Sequence, residues 1–440
     1  MPHAAACFVP LGRLARVDSD EFSNSAVPWD RSIPWWKIAF TNVLFSICLP
    51  TLITGLDLGL AAPRRYFLSG IIVGSLILTF IGILTSVLGS RTRLSSYMLA
   101  RIAFGTYGST LLNLAFAVSL LGWFGVNINL FGGAMARLML ALWGYTGPVW
   151  PVELVAGLLM TLTTLVGLRA INALSVVVVP VLGFVCLLML WHSLKQGSLN
   201  DILARAPLTG MSFGDTVSAV VGGVIVGAVI MPDTCRFIER PAGAVWTSVL
   251  TYFVSGVAVV VIGGVAALAT GKVEILDLML YMGLGAGAFA IVLGGSWILN
   301  ALNLYSVALS IGVAVPRSRR TITTLVGGLA GTLVAFLQIL DHFLTFLFYL
   351  SIVFVPVASI IIVDFFLIRP GDYMGDAIHS IKPVEKAALI AWAAGACVAV
   401  LGSAGYLRLS GIAAVDAMVV SAGIYGVLRW RPRTALPESA

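Results

Sequence analysis

The residues of this chain that could do chemistry are a few polar and aromatic side chains set in long apolar stretches. In one stretch Asn300 and Asn303 follow Ser296 at a spacing that puts all three on one side of a helix. In an earlier stretch Trp123 and Asn127 lie about one helical turn apart. Amides are costly in an apolar segment unless they have partners, so they are expected to face the protein interior. Two interpretations of the indole stay open: it stacks on a planar ligand, or it packs between helices with its N–H bonded.

Two further apolar stretches carry residues that weaken a helix. Pro50 has no amide proton and clashes with the preceding turn. Gly222, Gly223 and Gly227 fall close together, and each costs about 1 kcal/mol relative to alanine in a helix. Interrupted helices at corresponding places in two halves of a chain are typical of a transport site. The sequence therefore predicts breaks at the proline and at the glycines, with close helix packing as the alternative role of the glycines.

The elements that carry these residues are membrane spans. Hydrophobic residues make up 59% of the chain and charged residues 10%, whereas a soluble domain has about 25% charged residues. A stretch of about 20 apolar residues crosses a bilayer as a helix. The sequence predicts an all-α integral membrane protein of about twelve spans, numbered here in chain order: 38–60, 66–90, 108–131, 152–169, 171–192, 215–232, 243–270, 284–308, 321–339, 342–367, 386–405 and 409–428.

The distribution of basic residues predicts the orientation. With the N-terminus inside, the cytoplasmic segments hold 19 of the 26 Lys and Arg residues. This bias favours a multi-pass protein of the inner (plasma) membrane with both termini in the cytoplasm. We expect residues 1–36 to form an N-terminal tail without a signal peptide, 37–430 a single transmembrane domain, and 431–440 a C-terminal tail. The net charge of +7 is then mostly a matter of topology and indicates no nucleic-acid partner.

Several classes of function are disfavoured. The spans contain no HExxH or GxSxG motif and no pair of aspartates, so a membrane-embedded enzyme is not expected. The five cysteines are scattered without CxxC spacing, which argues against zinc and disulfides. We expect no cofactor and a monomer that binds a small molecule within the lipid bilayer.

The chain resembles the nucleobase–cation symport family, of the cytosine permease and hydantoin transporter type. The resemblance covers residues 37 to 373, and the order and spacing of its short motifs make it specific. The motifs are Leu49-Pro50-Thr51 with Thr54-Gly55, Gly122-Trp123-Phe124-Gly125-Val126, Met231 to Phe237, Trp297 to Asn300 with Asn303 and Tyr305-Ser306, and Val355-Pro356 through Asp364 to Arg369 and Tyr373.

The resemblance implies the leucine-transporter-type fold, in which spans 1–5 and 6–10 are inverted repeats and spans 11 and 12 are peripheral. Substrate would lie midway across the membrane between spans 1, 3, 6 and 8. A planar heterocycle would stack on Trp123, and backbone groups of span 6 and amides of span 8 would bind its polar edges. The implied substrate-binding residues are Trp123, Asn127, Gly222, Gly223, Val224, Val226, Asn300 and Asn303.

The sequence departs from the family pattern near this site. Cytosine permeases carry a Phe and a Ser at the break of span 6, where Val224 and Val226 stand here. They often have Gln three residues before the tryptophan, where this chain has Leu120. These departures indicate a heterocycle that is more apolar than cytosine, or differently substituted.

A further departure concerns the coupling ion. Sodium-coupled members of the family bind the ion with carbonyls of span 1 and two adjacent hydroxyls of span 8, in a Trp-Thr-Thr-Asn run. Here Ile298 and Leu299 replace both hydroxyls. The sequence therefore predicts that sodium does not bind there.

A proton needs only one titratable carboxylate near the pathway. Asp57 in span 1 is the first candidate, and its alternative role is an interfacial ion pair with Arg64 or Arg65. Asp215 and Asp416 are weaker candidates.

Two cytoplasmic features look structural. Asp364 lies in a family motif at the end of span 10, and Asp233 with Arg236 is expected to form an ion pair that closes span 6. The function predicted overall is a secondary active permease that moves a nucleobase or related heterocycle by alternating access. The alternatives are an amino-acid or amine carrier of the same fold and, from a different class, a channel.

Overall fold

Helices are the only regular secondary structure in the part of the chain that this computed structural model describes, namely residues 22, 24–205, 208, 210–285, 291–315, 317–337, 339–373, 381–407 and 409–429. Within those residues, nine helices are at least 18 residues long and apolar enough to cross a membrane. Two shorter apolar helices, Leu49–Ala61 and Trp150–Thr164, belong to spans 1 and 4. Ala413–Arg429 forms span 12. The predicted all-α membrane fold of about twelve spans is therefore confirmed.

The helix bounds lie within seven residues of the predicted ones, except that span 3 continues to Trp143, twelve residues beyond its predicted end. Short α-helices occur in three of the described connections. In chain order, spans 1 to 12 are Trp35–Val43 with Leu49–Ala61, Arg64–Thr92, Thr106–Trp143, Trp150–Thr164, Leu168–Leu194, Phe213–Val229 with Met231–Cys235, Pro241–Ser248 continued by a π-helical turn Val249–Ser255 into Gly256–Thr270, Ile291–Ser296 with Trp297–Ala314, Arg320–Val334, Phe343–Val363 with Asp364–Ile368, Lys386–Ser403 and Ala413–Arg429. The connecting helices are Ser96–Phe104, Leu199–Leu203 and Ile275–Tyr281.

Spans 1 and 6 are each interrupted just before a proline. In span 1 the helix ends at Val43 and resumes at Leu49, so that Pro50 lies in the first turn of the second half-helix. In span 6 the helix runs through all three glycines and breaks at Ile230, immediately before the turn that contains Pro232. The predicted break at the glycines is therefore wrong in position. Helix packing offsets the small cost of a glycine, whereas proline is favoured where a helix starts and its missing N–H needs no partner.

The second half of span 1 packs on span 7 through backbone contacts. A Cβ at Gly55 would lie 2.2 Å from the carbonyl oxygen of Val260, and one at Gly59 would lie 2.6 Å from the Cα of Gly264. Glycines spaced by four let two helices approach closely in lipid, where no hydrophobic effect drives their association. This side of the half-helix is therefore fixed against span 7.

A buried carboxylate joins the end of span 10 to span 12. Asp364 accepts hydrogen bonds from Nε and Nη2 of Arg369 at 2.9 and 2.7 Å. It also accepts from the hydroxyls of Tyr373 and Tyr425, at 2.6 and 2.7 Å. Burial, and next the charge of Asp364, raise the pKa of Tyr373 well above its usual value, so its hydroxyl remains a donor. Four hydrogen bonds to a charged group thus compensate for the burial of that charge.

We predict that Asp364→Asn lowers the free energy of unfolding by about 3 kcal/mol, because it removes the charge that neutralises Arg369 in a buried cluster. The measurement is thermal and denaturant unfolding of the purified protein in detergent. Asp372→Asn is the matched control: its carboxylate is half-exposed and 3.5 Å from Arg369, so we expect a loss of about 1 kcal/mol or less. Equal losses in the two variants would contradict the structural role of Asp364.

Candidate binding site

A cavity lies where the interrupted spans 1 and 6 face spans 3 and 8. Its volume of about 30 Å³ has room for about two water molecules. The lining residues are Phe45, Cys48, Pro50 and Thr51 of span 1, Leu120 and Trp123 of span 3, Gly223, Val224, Val226, Gly227 and Ile230 of span 6, and Leu299 and Asn303 of span 8.

The cavity brings together part of the predicted set of binding residues. Those that line it are Trp123, Gly223, Val224, Val226 and Asn303. Asn127, Asn300 and Gly222 are buried behind the wall. Asp57 is half-buried farther along span 1 and also lies outside the lining. A binding role for any of these residues stays a prediction.

Trp123 is held by aromatic rings at the start of span 10. The Phe343 and Phe346 rings meet the indole edge-on, with ring centroids 6.0 and 5.4 Å away. Gly122 makes room for this contact, because a Cβ there would lie 3.2 Å from the Phe346 ring. Trp123 makes no side-chain hydrogen bond within the described part of the chain, and it is 9% exposed, toward the cavity. The indole is therefore a fixed apolar wall with its N–H available.

The two amides of span 8 have different surroundings. The Asn300 amide donates to the carbonyl oxygen of Phe124 at 3.1 Å and lies 3.3 Å from the sulfur of Met160, so it links span 8 to spans 3 and 4. Asn303 lines the cavity, and its Nδ2 is buried with no hydrogen-bond partner among the described residues. A buried donor without a partner costs about 1–3 kcal/mol. The buried Oδ1 of Asn300 also lacks a partner among the described residues, but only Asn303 of the two amides lines the cavity, so Asn303 is the one that a ligand would complete.

The side-chain amide of Asn127, like that of Asn300, donates a hydrogen bond within the protein. It is fully buried in span 3, and its amide donates to the carbonyl oxygen of Trp123 at 2.9 Å. This hydrogen bond runs to the preceding turn of its own helix, so it reinforces the turn that carries the indole.

The glycines of span 6 have different surroundings, and close helix packing, one of the roles that the sequence leaves open, applies to only some of them. A Cβ at Gly222 would lie 2.1 Å from the carbonyl oxygen of Leu347, so this glycine allows span 6 to touch span 10. A Cβ at Gly223 would meet nothing closer than the Thr54 hydroxyl at 3.7 Å. Gly227 packs on the Phe45 ring, 3.3 Å from its own hypothetical Cβ. One glycine permits packing, and the next leaves space in the cavity wall.

Sequence reasoning missed the contribution of the unwound part of span 1. Phe45 and Cys48 of that part line the cavity, as does Thr51 in the first turn of the half-helix that follows. The Thr51 hydroxyl donates to the Phe45 carbonyl at 3.4 Å and lies 3.2 Å from the Cys48 sulfur. The signal was present in Pro50, because a proline that begins a half-helix places the unwound residues immediately before it.

Polar contacts close one side of the cavity, about one helical turn beyond Ile230 and Asn303. The carboxylate of Asp233 accepts from the backbone N–H of Ser96 at 2.8 Å and from the hydroxyl of Ser306 at 3.2 Å. Arg236 donates through Nε to the carbonyl oxygen of Asp233 at 3.2 Å. Arg236 thus meets Asp233 through its backbone, and its charge also acts on the Asp233 carboxylate. That carboxylate joins span 6 to span 8 and to the helix Ser96–Phe104.

Ionic contacts lie on the opposite side of the cavity. Arg137, in the last part of span 3, donates to the carboxylates of Glu274 and Asp277 at the start of the connecting helix Ile275–Tyr281. Arg137 follows Trp123 by 14 residues, or roughly 20 Å along the helix. These charges are partly exposed and so are screened by salt.

Asp57 does not form the ion pair that was its alternative role. Arg64 donates to Asn200 at 3.1 Å, and the guanidinium of Arg65 lies over the Tyr66 ring, 4.5 Å from its centroid. Within the described residues, Asp57 makes no hydrogen bond or ion pair. Its carboxylate is therefore available to titrate, although it is not at the cavity.

Residues 30–427 match the family described as permease for cytosine/purines, uracil, thiamine, allantoin. The cytosine permease of Escherichia coli K12 is 28% identical over 420 residues, which are 93% of this chain and 94% of that protein. The hydantoin permease of Microbacterium maritypicum is 28% identical over 301 residues, covering 61% of this chain and 60% of that protein.

Solved structures share the fold. A nucleobase–cation-symport-1 family transporter in a closed conformation with bromovinylhydantoin bound superposes with a TM-score of 0.80 at 21% identity, covering 93% of this chain and 95% of that one. A Na⁺-coupled sialic acid symporter superposes with a TM-score of 0.63 at 12% identity, covering 90% and 89%. The predicted leucine-transporter-type fold is confirmed.

The adjacent glycines of span 6 provide a matched pair of substitutions. We predict that Gly222→Ala destabilises the protein by about 1–3 kcal/mol, because its Cβ would overlap the backbone of span 10. Gly223→Ala is expected to fold with wild-type stability or better, since its methyl group points into free space and alanine favours the helix. The measurement is thermal unfolding in detergent, and a stable Gly222→Ala variant would refute the assigned contact.

Proposed function

The chain belongs to the family of permeases for cytosine/purines, uracil, thiamine and allantoin, and we propose that it is a secondary transporter that moves a nucleobase or related planar heterocycle by alternating access. The observation that carries this proposal is the cavity at the two helix breaks, with Trp123 on one side and the unpaired amide of Asn303 on another. An indole offers a flat surface for stacking, and an amide N–H₂ donates to a ring carbonyl.

The composition of the lining argues for a neutral ligand. No charged side chain is among the described residues that line the cavity. A cationic amine would need an opposite charge to replace its hydration, and no carboxylate is among these lining residues. The half-helices that begin at Leu49 and Met231 offer free ends to a carboxylate, so it is the family match that favours a heterocycle over an amino acid. Interrupted helices in two corresponding spans also favour alternating access over a channel.

The substrate is proposed to be more apolar than cytosine, or differently substituted. Leu120, Val224 and Val226 present hydrocarbon where cytosine permeases carry hydrogen-bonding or aromatic side chains. Relatives are named for cytosine and for hydantoin. Apolar side chains at these positions favour a substrate whose ring carries an apolar substituent.

Transport is proposed to be independent of sodium. Ile298 and Leu299 are 1% and 5% exposed, so hydrocarbon occupies the places of the two hydroxyls that sodium-coupled family members use. Sodium prefers oxygen ligands, which these side chains lack. A proton is the coupling ion proposed instead, with Asp57 as its carrier because neither neighbouring arginine neutralises it. We further propose that the protein lies in the inner membrane with both termini in the cytoplasm.

A binding experiment tests the proposed function. We predict that a planar heterocycle raises the melting temperature of the purified protein in a screen of purines, pyrimidines, hydantoins, allantoin and thiamine precursors. Trp123→Ala should weaken that binding by the roughly 1–3 kcal/mol of base–aromatic stacking, while the ligand-free protein stays folded. Trp191→Ala, at a tryptophan that is 53% exposed, is the control and should bind normally. Wild-type affinity in Trp123→Ala would refute the stacking role.

A second experiment should distinguish the roles of the two amides of span 8. We predict that Asn303→Leu changes the selectivity among heterocycles and lowers affinity by about 1–3 kcal/mol, because the ligand loses its donor. Asn300→Leu breaks the contact with span 3, so it should lower protein stability while the order of preference among ligands is kept. Titration of each ligand against both variants is the measurement. An unchanged selectivity profile in Asn303→Leu would assign that amide to helix packing.

Coupling is tested in proteoliposomes. We predict that an imposed Na⁺ gradient at equal pH does not accumulate substrate, because the span 8 hydroxyls are absent, whereas a pH gradient does. Asp57→Asn should abolish the pH-driven accumulation and leave substrate exchange intact. Accumulation driven by Na⁺ would defeat the first expectation. Retained pH-driven accumulation in Asp57→Asn would defeat the second alone and direct attention to Asp215 or Asp416.

A further inference from the structure

A second, larger cavity lies at the opposite end of the fold from Arg137, where spans 1 and 7 begin. Its volume is about 590 Å³, within the roughly 300–1,000 Å³ of small-ligand sites. One wall is Ser32 to Trp35, and the other runs from Ile238 to Gly243 and includes Trp246. This cavity shares no lining residue with the one at the helix breaks.

The walls of this cavity are joined by backbone contacts, so its shape is defined. The N–H of Ile33 donates to the carbonyl oxygen of Phe237 at 2.8 Å. Trp35 packs on Gly243, where a Cβ would lie 2.6 Å from the Cβ of the tryptophan. The cavity is therefore a feature of the fold between two spans.

The lining combines both signs of charge with tryptophan. Glu239 and Arg240 are exposed neighbours in the lining, and neither side chain has a hydrogen bond or ion pair within the described residues. The charge of Glu239 also acts on Arg93. Trp35 and Trp246 are 39% and 57% exposed beside Glu239 and Arg240. Tryptophan at the end of a span marks the level of the lipid headgroups. A ligand at this depth with one anionic and one cationic group would give each of these two charged side chains an oppositely charged partner.

An apolar track leads away from the cavity into the membrane. Trp246 of span 7 is exposed, and so are Phe253 and Val254 in the π-helical turn Val249–Ser255 farther along the same span. This face is suited to an acyl chain that belongs to a headgroup in the cavity.

We propose that this cavity is a specific site for a phospholipid with a zwitterionic headgroup, phosphatidylethanolamine. Arg240 binds the phosphate, Glu239 binds the ammonium, the tryptophans flank the glycerol region, and an acyl chain lies on span 7. The paired charges distinguish this ligand from an anionic phospholipid, whose headgroup would leave Glu239 without a cation and repel it.

The test is lipid binding by the full chain in detergent, followed by native mass spectrometry during titration with phosphatidylethanolamine or phosphatidylglycerol. We expect the wild-type protein to retain phosphatidylethanolamine at least roughly tenfold more tightly, the ratio expected for one additional charge-assisted contact. Arg240→Gln should weaken binding of both lipids, and Glu239→Gln should remove the preference between them. Trp246→Ala should weaken both. Because transport is not measured, the result does not depend on the proposed function.

Matched controls are available at distant positions. Arg317→Gln and Trp150→Ala change an exposed arginine and a 52% exposed tryptophan elsewhere, and should leave lipid binding unchanged. Soluble glycerophosphoethanolamine should compete poorly, because it has no acyl chain. The proposal is overturned if wild type shows no preference or prefers phosphatidylglycerol, if the cavity variants behave like the controls, or if the soluble headgroup binds as well as the lipid.

Discussion

The arrangement of the whole site depends on one constraint: a backbone N–H or C=O at membrane depth must find a partner or face a cavity inside the protein. The unwound residues between Val43 and Leu49 meet this requirement within the bundle. The N–H of Ile47 donates to the Val43 carbonyl at 2.8 Å, and the Phe45 carbonyl accepts from the Thr51 hydroxyl. The Ser46 hydroxyl holds this segment against span 7 by donating to the Thr251 carbonyl at 2.7 Å. Lipid could not supply these contacts. The break in span 1 therefore has to be enclosed by other spans, and the enclosed space is the cavity.

The polar stripe of span 8 connects the features around that cavity. Asn300 holds the backbone of span 3, Asn303 faces the cavity, and Ser306 donates to Asp233. One turn later, the Ser310 hydroxyl donates to the Asn113 carbonyl at 2.7 Å. A change in the position of span 8 thus reaches the cavity and the Asp233 contacts together. Under the alternating-access mechanism that we propose, this is a physical route by which a bound ligand would alter access from one side.

Much of the fold and part of the site followed from the sequence, for identifiable reasons. Span positions follow from apolar length, and Trp123 and Asn303 stand out because an indole and an amide are unusual at mid-span. Asn300 shares the stripe of Asn303, but its role depends on a carbonyl of span 3, which no pattern within span 8 reveals. Gly222 and Gly223 are adjacent in sequence and differ only in what faces them. The residue of another span that each side chain contacts depends on three-dimensional packing, so the sequence around that side chain does not predict it.

The Asp364 cluster bears on how this chain is made in the cell. Arg369 is only five residues from Asp364, so this pair can form as soon as span 10 has been inserted. Tyr425 lies 61 residues farther along and can donate only after span 12 has been inserted. Biogenesis therefore passes through a state in which span 10 is in place with its carboxylate partly satisfied. Completion of the cluster marks the point at which the late spans dock, and a nascent chain that stalls before it presents an unfinished polar surface to membrane quality control.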